Sequence, residues 1–104
     1  MSKKSPMTLS LDYLNKQGMT CAIVEHWNAH AGVRQDCFGF GDILAYGREK
    51  GVLNIMLVQT TTAANFLARK AKILASPHFK GWTGAGGRVV VHGWGDSGLR
   101  EEEL

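Results

Sequence analysis

The sequence predicts a single domain of the mixed α/β class, and three observations lead to that prediction. The chain has 104 residues, a usual size for one hydrophobic core. Its residues are 44% hydrophobic and 20% charged, a balance typical of globular proteins. The spacing of the apolar residues switches between the periods of helix and strand, and gives the order helix, three strands, helix, strand. We therefore expect residues 1–104 to form one domain, with flexible ends near residues 1–7 and 96–104.

The first helix is predicted before Gly18, a residue that suits a helix end. Thr8 or Ser10 can cap its amino end, so the helix is expected to run to about Gln17. Residues 21–27 are rich in β-branched and aromatic side chains and are predicted to form the first strand.

Strands two and three are predicted as an antiparallel pair joined by a tight connection. Residues 36–46 alternate with the period of a strand, which places Phe38 and Asp42 on one face. The polar segment 47–51 begins and ends with glycine, as a hairpin connection does. Residues 52–61 are apolar enough for a central strand.

The second helix is predicted after Thr62, where the apolar residues take up helical spacing, and it ends before Pro77. A loop is predicted over residues 78–87, which contain four glycines. Three consecutive valines predict a last strand over residues 88–94. The acidic C-terminal segment is expected to be flexible, and the alternative is an edge strand over residues 99–104.

The positive charge of the chain is concentrated before the C-terminal segment. The formal net charge is +3, but residues 1–95 carry eleven Lys and Arg against five Asp and Glu. Such a basic body is typical of proteins with a polyanionic partner. The two isolated cysteines, the lack of a secretory leader and the lack of an apolar run of roughly 20 residues favour a soluble, cytoplasmic protein without a membrane role. Neither a P-loop nor a dinucleotide-binding glycine motif is present in the sequence.

Two polar residues on the predicted central strands suggest metal chemistry. Asp42 lies among apolar residues on strand two and Gln59 lies on strand three, so we expect the two side chains to meet at one end of the sheet. Carboxylate and amide oxygens bind Mg²⁺, which polarises a phosphodiester and acidifies a water molecule. The alternatives are a solvated edge-strand acid for Asp42 and a core amide bonded to backbone for Gln59.

The segments Asp36-Cys37-Phe38-Gly39-Phe40-Gly41-Asp42-Ile43-Leu44-Ala45 and Val58-Gln59-Thr60-Thr61 resemble the Asp...(Glu/Gln)-x-Lys signature of the PD-(D/E)XK nuclease superfamily. The resemblance covers about residues 21–94 and extends to small Holliday junction resolvase-like proteins of phages and bacteria. It implies the restriction-endonuclease-like fold, with an αβββαβ core and a mixed central sheet flanked by helices. It also implies an endonuclease that uses Mg²⁺ or Mn²⁺ to hydrolyse phosphodiester bonds of DNA, a branched substrate and a symmetric homodimer in a bacterial or phage-infected cell.

The resemblance assigns roles to individual residues. Asp42 matches the metal-binding Asp and Gln59 the Glu or Gln position, whereas Thr61 stands where the family usually has its catalytic Lys. Because Thr cannot carry a positive charge, either another cation stabilises the transition state, with Lys72 as the first candidate and Arg69 as the second, or catalysis is weak or absent. Thr61 itself is expected to orient a water molecule or a ligand. Two further acids are expected to support the metal site, and they are Glu25 on strand one and Asp36.

The basic side chains are expected to contact DNA. Asn65, Arg69 and Lys72 share one stripe of the second helix, for which a solvated polar face is the alternative interpretation. The predicted DNA-contacting residues are Arg34, Asn65, Arg69, Lys70, Lys80 and Arg88. Lys70 lies along the apolar stripe and either reaches solvent or turns toward the site. Asp36 has a second interpretation as an ion-pair partner of Arg34.

Other interpretations of the chain stay open at this point. Four potential zinc ligands lie close together in the sequence, but their spacing matches no common zinc motif; they are Cys21, His26, His30 and Cys37. The segment 80–94 mixes Trp, Gly and basic residues and can be interpreted as a surface for nucleic acid. The rival functions are a non-catalytic nucleic-acid-binding module on the same fold and a small interaction protein.

Overall fold

The computed structural model describes residues 4–104. Within this range the helices are α1 (Pro6–Lys16), α2 (Phe66–Leu74) and α3 (Phe79–Gly84), and a short 3₁₀ turn (Ala63–Asn65) leads into α2. The strands are β1 (Thr20–Ile23), β2 (His26–Asn28), β3 (Val33–Gln35), β4 (Ile43–Glu49), β5 (Val52–Thr62), β6 (Arg88–Gly95) and β7 (Gly98–Glu103).

Five of the strands form one mixed sheet in the order β1-β4-β5-β6-β7, and β2 pairs with β3 in a separate hairpin. Strands β5 and β6 are parallel, while the other neighbours in the sheet are antiparallel. The parallel pair needs a crossover, which α2 and α3 supply. The mixed α/β class predicted from the sequence is therefore confirmed.

Helices cover both faces of the sheet, which therefore has a separate apolar layer on each side. On one face α1 packs through Leu14 against Ile43 and Val58. On the other face Phe66 and Ile73 of α2 pack with neighbouring strand residues such as Val91 and Leu57. A central strand covered on both sides has apolar residues at successive positions, as residues 56–58 of β5 do.

The cap of helix α1 lies three residues before Thr8 and five before Ser10, the two predicted caps. Ser5 is the N-cap, and its Oγ accepts a hydrogen bond from the Thr8 backbone N–H at 3.2 Å. Pro6 occupies the first turn, where its missing N–H leaves no hydrogen bond unmade. The predicted caps Thr8 and Ser10 lie inside the helix, so that prediction was wrong.

The predicted first strand is two short strands in two different sheets. β1 ends at Ile23, and the chain leaves the main sheet before β2 starts at His26. The Asn28 side chain then organises the hairpin turn, because its Oδ1 accepts hydrogen bonds from the backbone N–H groups of His30 and Ala31. Glu25 consequently lies in the link between β1 and β2 and not on a strand.

The predicted strand over residues 36–46 exists only from Ile43 onward. Phe38 and Gly39 both have positive φ angles, 57° and 81°, so the chain turns back on itself there. The turn is closed by hydrogen bonds between Cys37 and Gly41 in both directions, each 2.8 Å long. Asp36 and Asp42 therefore do not share a strand face by alternation, and the turn places the two ends of this segment side by side.

Two other connections differ in how closely they match the sequence prediction. The expected hairpin between β4 and β5 is present, and Lys50 and Gly51 form its turn with positive φ angles of 53° and 79°. The expected loop over residues 78–87 contains α3 instead. Trp82 anchors this helix, because its Nε1 donates a hydrogen bond to the Arg88 carbonyl at 2.8 Å.

The acidic C-terminal segment forms the edge strand that we considered as an alternative to a flexible end. β7 pairs with residues 90–95 of β6, and three consecutive glutamates have partners on the body of the protein. Glu101 lies 2.8 Å from His92 Nε2, Glu102 pairs with Lys70, and Glu103 lies 3.0 Å from Arg88 Nε. The charges that make this segment look mobile in the sequence therefore help to hold it in place.

A buried polar network fastens α1 to β6. The fully buried His92 ring lies 2.9 Å from Ser10 Oγ through its Nδ1, and Trp94 Nε1 donates to the same oxygen at 2.8 Å. Burial lowers the pKa of His92, although the neighbouring Glu101 opposes this effect. The neutral ring then donates from Nε2 to Glu101 and accepts the Ser10 hydroxyl proton at Nδ1.

Removal of the Ser10 hydroxyl should destabilise the fold. In Ser10→Ala the His92 Nδ1 and the Trp94 N–H both lose their partner, so we expect the free energy of unfolding to fall by about 1–3 kcal/mol in urea denaturation. Ser97→Ala, in the exposed turn between β6 and β7, is the matched control and should stay within about 0.5 kcal/mol of the parent. Equal stability of the two variants would contradict a structural role for this network.

Candidate metal centre

Asp42 lies immediately before β4, at the edge of the sheet core. Its backbone N–H bonds to the Val58 carbonyl at 2.9 Å, which fixes the residue beside the C-terminal half of β5. Its side chain is only 4% exposed, and Oδ2 accepts three hydrogen bonds. The donors are Gln59 Nε2 at 2.7 Å, the Thr60 backbone N–H at 2.8 Å and Thr60 Oγ1 at 3.3 Å. The solvated-edge interpretation of Asp42 is therefore wrong.

Two more carboxylates lie close to Asp42. Glu25, Asp36 and Asp42 each offer an oxygen atom, and these oxygen atoms lie within 4.8 Å of one another. Two oxygen ligands on opposite sides of one Mg²⁺ ion are separated by about 4.2 Å. The three acids come from the β1–β2 link, the segment after β3 and the residue before β4, and their spacing is close to that of a site for one divalent cation.

Gln59 contributes a second and independent feature of the site. Its side chain is 3% exposed, and Nε2 donates to Asp42 Oδ2 and to the Thr60 carbonyl at 3.2 Å. Because both donors of the amide group are engaged, Oε1 is turned away from these partners, and within residues 4–104 this buried oxygen has no hydrogen-bond partner. A buried acceptor without a partner is energetically costly, so a cation or a water molecule is the expected neighbour of this oxygen.

Positive side chains surround the acidic cluster. The cluster opens into a cavity of about 260 Å³ that Gln59 and Thr60 also line, and its other walls are the side chains of Arg34, Arg69 and Lys72. Arg34 Nη1 lies 3.3 Å from Glu25 Oε1, so the ion pair forms with Glu25 and not with Asp36. Arg69 and Lys72, both on helix α2, line the same cavity as the acids.

The electrostatic environment makes Asp42 hard to ionise. Burial is the main cause, and it raises the pKa of Asp42 from 3.8 to about 7. The Thr60 backbone N–H opposes this shift, whereas the carboxyl group of Asp36 and the charge of Glu25 add to it. A divalent cation bound among these oxygens would offset the repulsion between them.

This pKa shift predicts how stability depends on pH without divalent cations. Between about pH 4 and about pH 7 the folded protein retains a proton on Asp42 that the unfolded chain has released. The contribution of Asp42 therefore lowers the free energy of unfolding as pH rises through this window, and it stays constant above it. Urea denaturation in EDTA at several pH values should show the decline in the parent, whereas Asp42→Asn lacks this contribution. If the free energy of unfolding changed with pH in the same way in both proteins, the raised pKa of Asp42 would be contradicted.

Several residues predicted for the site lie elsewhere. Thr61 is buried on β5, and the cavity is lined by its neighbour Thr60. Asn65 ends the 3₁₀ turn before α2 and is exposed, as is Lys80 on α3. Lys70 and Arg88 pair with the glutamates of β7, and Arg88 begins β6 at the end of the sheet opposite to Asp42.

The sequence did not indicate the part played by Thr60. A strand period of two places Thr60 on the face opposite to Gln59, yet its backbone N–H and its hydroxyl both bond to Asp42. Among residues 4–104, the clustered group of potential metal ligands is the acidic one, and it includes neither cysteine. Cys21 and Cys37 are both half-buried free thiols that pack against the apolar layers, in agreement with their interpretation as small apolar groups.

No protein-family model, curated protein or solved structure matches this chain. In the described part of the chain, no helix has both the length and the apolar character needed to span a bilayer.

Proposed function

We propose that this protein is a metal-dependent DNA endonuclease that hydrolyses phosphodiester bonds. The observation that supports this function best is the combination of three clustered carboxylates with the cations Arg69 and Lys72 in the lining of one cavity. Gln59, whose buried Oε1 has no hydrogen-bond partner within residues 4–104, lines the same cavity. Oxygen donors bind a hard divalent cation, and the cationic side chains bind phosphate. A site that combines both is suited to a phosphodiester substrate.

The donor set fits Mg²⁺ or Mn²⁺. Asp42, Asp36, Glu25 and Gln59 would hold the ion, which when bound polarises the phosphate and acidifies a water molecule. Asp42 is the central ligand, because Gln59 and Thr60 hold its carboxylate in one orientation before any ligand arrives. Asp36 and Glu25 complete the negative charge that retains a divalent ion.

Lys72 and Arg69 take the role of the family's catalytic Lys, which Thr61 cannot perform because it carries no positive charge. Both side chains line the same cavity as the acids, where they can bind the phosphate of a DNA strand. A cation in this position stabilises the additional negative charge that develops on the phosphate in the transition state. The function of the family's motif Lys is thus assigned to helix α2.

The topology supports the same proposal. The elements α1, β1, β4, β5, α2 and β6 follow the order of an αβββαβ core, with β1, β4 and β5 antiparallel and β6 parallel to β5. The β2–β3 hairpin and α3 are insertions into that order, and β7 is an extension. The first of these insertions carries Arg34 and positions Glu25 and Asp36 on either side of it.

A cleavage assay tests the proposed function. Purified protein is incubated with four-way junction, flap and linear duplex DNA in Mg²⁺, Mn²⁺ or EDTA, and the products are resolved on denaturing gels. We expect cleavage with either metal and none in EDTA, with the branched substrates cut fastest. Paired cuts in the junction, together with a dimer in sedimentation, would support the symmetric homodimer. Absence of cleavage with both metals on every substrate would contradict the proposal.

The second candidate function is a non-catalytic nucleic-acid-binding module. Thr61 at the position of the family's catalytic Lys favours it, because an inactive relative would retain the basic cavity without the chemistry. This candidate predicts salt-dependent DNA binding without cleavage. The same purified protein, tested for binding at two salt concentrations and for cleavage, distinguishes the two.

A further inference from the structure

The turn beside the acidic cluster holds a phenylalanine in an unfavourable backbone conformation. Phe38 and Gly39 are the central residues of a tight turn, which is closed by a hydrogen bond of 3.1 Å from the Phe40 N–H to the Cys37 carbonyl. Their φ angles of 57° and 81° are those of a turn that prefers Asn-Gly or Gly-Gly. A side chain with a β-carbon is strained at such a φ angle, and an aromatic side chain is rarely found there.

Burial of the Phe38 ring does not explain why this residue occupies the turn. The side chain is 47% exposed. Its ring contacts His78, with ring centres 5.3 Å apart, and Trp82, at 6.1 Å. Phe38 combines a strained backbone with a half-exposed ring. This combination is more readily explained by contact with a ligand than by packing.

The surroundings of the ring identify the chemistry of that ligand. Phe38 lines a cavity of about 530 Å³ whose walls also carry Arg34, Lys72 and His78. The cavity beside the acidic cluster, here called the metal cavity, is lined by Arg34, Asp36 and Lys72 as well. The two cavities therefore adjoin. An exposed aromatic face beside cationic side chains binds a nucleotide, because the base stacks on the ring while the phosphate meets the cations.

We propose that Phe38 is a stacking platform for an unpaired base of the DNA strand whose phosphate enters the metal cavity. This inference rests on the proposed function and names the class of its substrate. Bases inside a duplex are paired and already stacked, so their faces are not free to meet a side chain. The preferred substrates are therefore flaps, gaps and opened junctions, in which a base beside the scissile phosphate is free.

The test measures stacking and cleavage separately. Short single-stranded oligonucleotides, each with one 2-aminopurine at a different position, are titrated with protein in Ca²⁺ in place of Mg²⁺. At one position the parent and Phe38→Tyr should quench the fluorescence, because the probe stacks on the ring. Phe38→Asn should lose this quenching and bind at least about fivefold more weakly. Tyr46→Val removes a ring of similar exposure from the strand β4 and should behave like the parent.

Thermal unfolding shows that the comparison is made on folded protein. Asn is favoured at the position of Phe38, so Phe38→Asn should melt at the same temperature as the parent or higher. Cleavage of a flap in Mg²⁺ should fall in Phe38→Asn more than cleavage of linear duplex, because only the flap presents a free base.

The possible results separate this inference from the proposed function. Quenching that depends on Phe38 without any cleavage would support the stacking platform and contradict the endonuclease. Cleavage that is equal in the parent and Phe38→Asn, with equal quenching, would contradict the stacking platform alone. An absence of oligonucleotide binding would contradict the stacking platform, whereas the endonuclease would be contradicted only by an absence of cleavage on every substrate.

Discussion

Asp42→Asn is expected to reduce DNA cleavage by about a thousandfold or more while DNA affinity stays within about twofold of the parent. The substitution removes one of the three clustered carboxylates of the proposed metal site. Divalent cations therefore bind more weakly. In the proposed function DNA binding depends on the cationic side chains, which the substitution leaves in place. Gel cleavage under saturating Mg²⁺ and a binding titration in Ca²⁺ measure the two effects.

The hydrogen bonds of Asp42 separate loss of chemistry from loss of structure. The side-chain oxygen of an asparagine can accept the same bonds from Gln59 and Thr60, so the local structure should persist. At about pH 8 and without divalent cations the variant should be at least as stable as the parent, because it lacks a buried charge. Asp12→Asn, an exposed acid on α1 that pairs with Lys4, is the control and should cleave normally. Cleavage by Asp42→Asn at the parent's rate would contradict the metal centre.

Lys72→Ala is expected to have the second-largest effect, a reduction of kcat by about a hundredfold. Lys72 lies on the last turn of α2, where it lines the metal cavity without forming part of the acidic cluster. Its loss removes a charge that acts mainly in the transition state, so metal affinity should stay unchanged or rise, because one nearby positive charge no longer repels the ion. Single-turnover cleavage over a range of Mg²⁺ concentrations measures both quantities.

Two comparisons make the Lys72 result specific. Lys16→Ala removes an exposed lysine from the last turn of α1, on the opposite face of the sheet, and should leave kcat unchanged. Arg69→Ala should lower kcat less than Lys72→Ala if Lys72 is the principal cation, and the reverse order would transfer that role to Arg69. Equal losses in the Lys16 and Lys72 variants would indicate a general effect of net charge and would contradict a specific role for Lys72.

The sequence was sufficient to predict the central elements because their patterns are local. The apolar run of β5, the consecutive valines of β6 and the glycines around the β4–β5 turn each report directly on the backbone. The approach of Asp42 to Gln59 follows from that pairing, since the Asp42 N–H bonds to the Val58 carbonyl. These are the parts of the fold and of the site that adjacent residues determine.

The parts that sequence reasoning missed depend on contacts distant along the chain or on exceptional backbone angles. The residue types of residues 36–42 alternate with the period of a strand, and they do not indicate a positive φ at Phe38. Glu25 reaches the acidic cluster only because the chain leaves the sheet after Ile23. The strand β7 was obscured by its charge, because the partners of its glutamates lie between 9 and 88 residues away.

The acidic edge strand β7 also makes the distribution of positive charge on the surface uneven. Because Glu102 and Glu103 pair with Lys70 and Arg88, β7 covers part of the positive surface in the way that a bound polyanion would. Arg69 and Lys72, by contrast, line the cavity beside Asp42. A long, uniformly basic surface would let a DNA backbone settle in many registers. For the DNA substrate that we propose, the pairing of Lys70 and Arg88 with β7 leaves Arg69 and Lys72, beside Asp42, as the cations that attract phosphate.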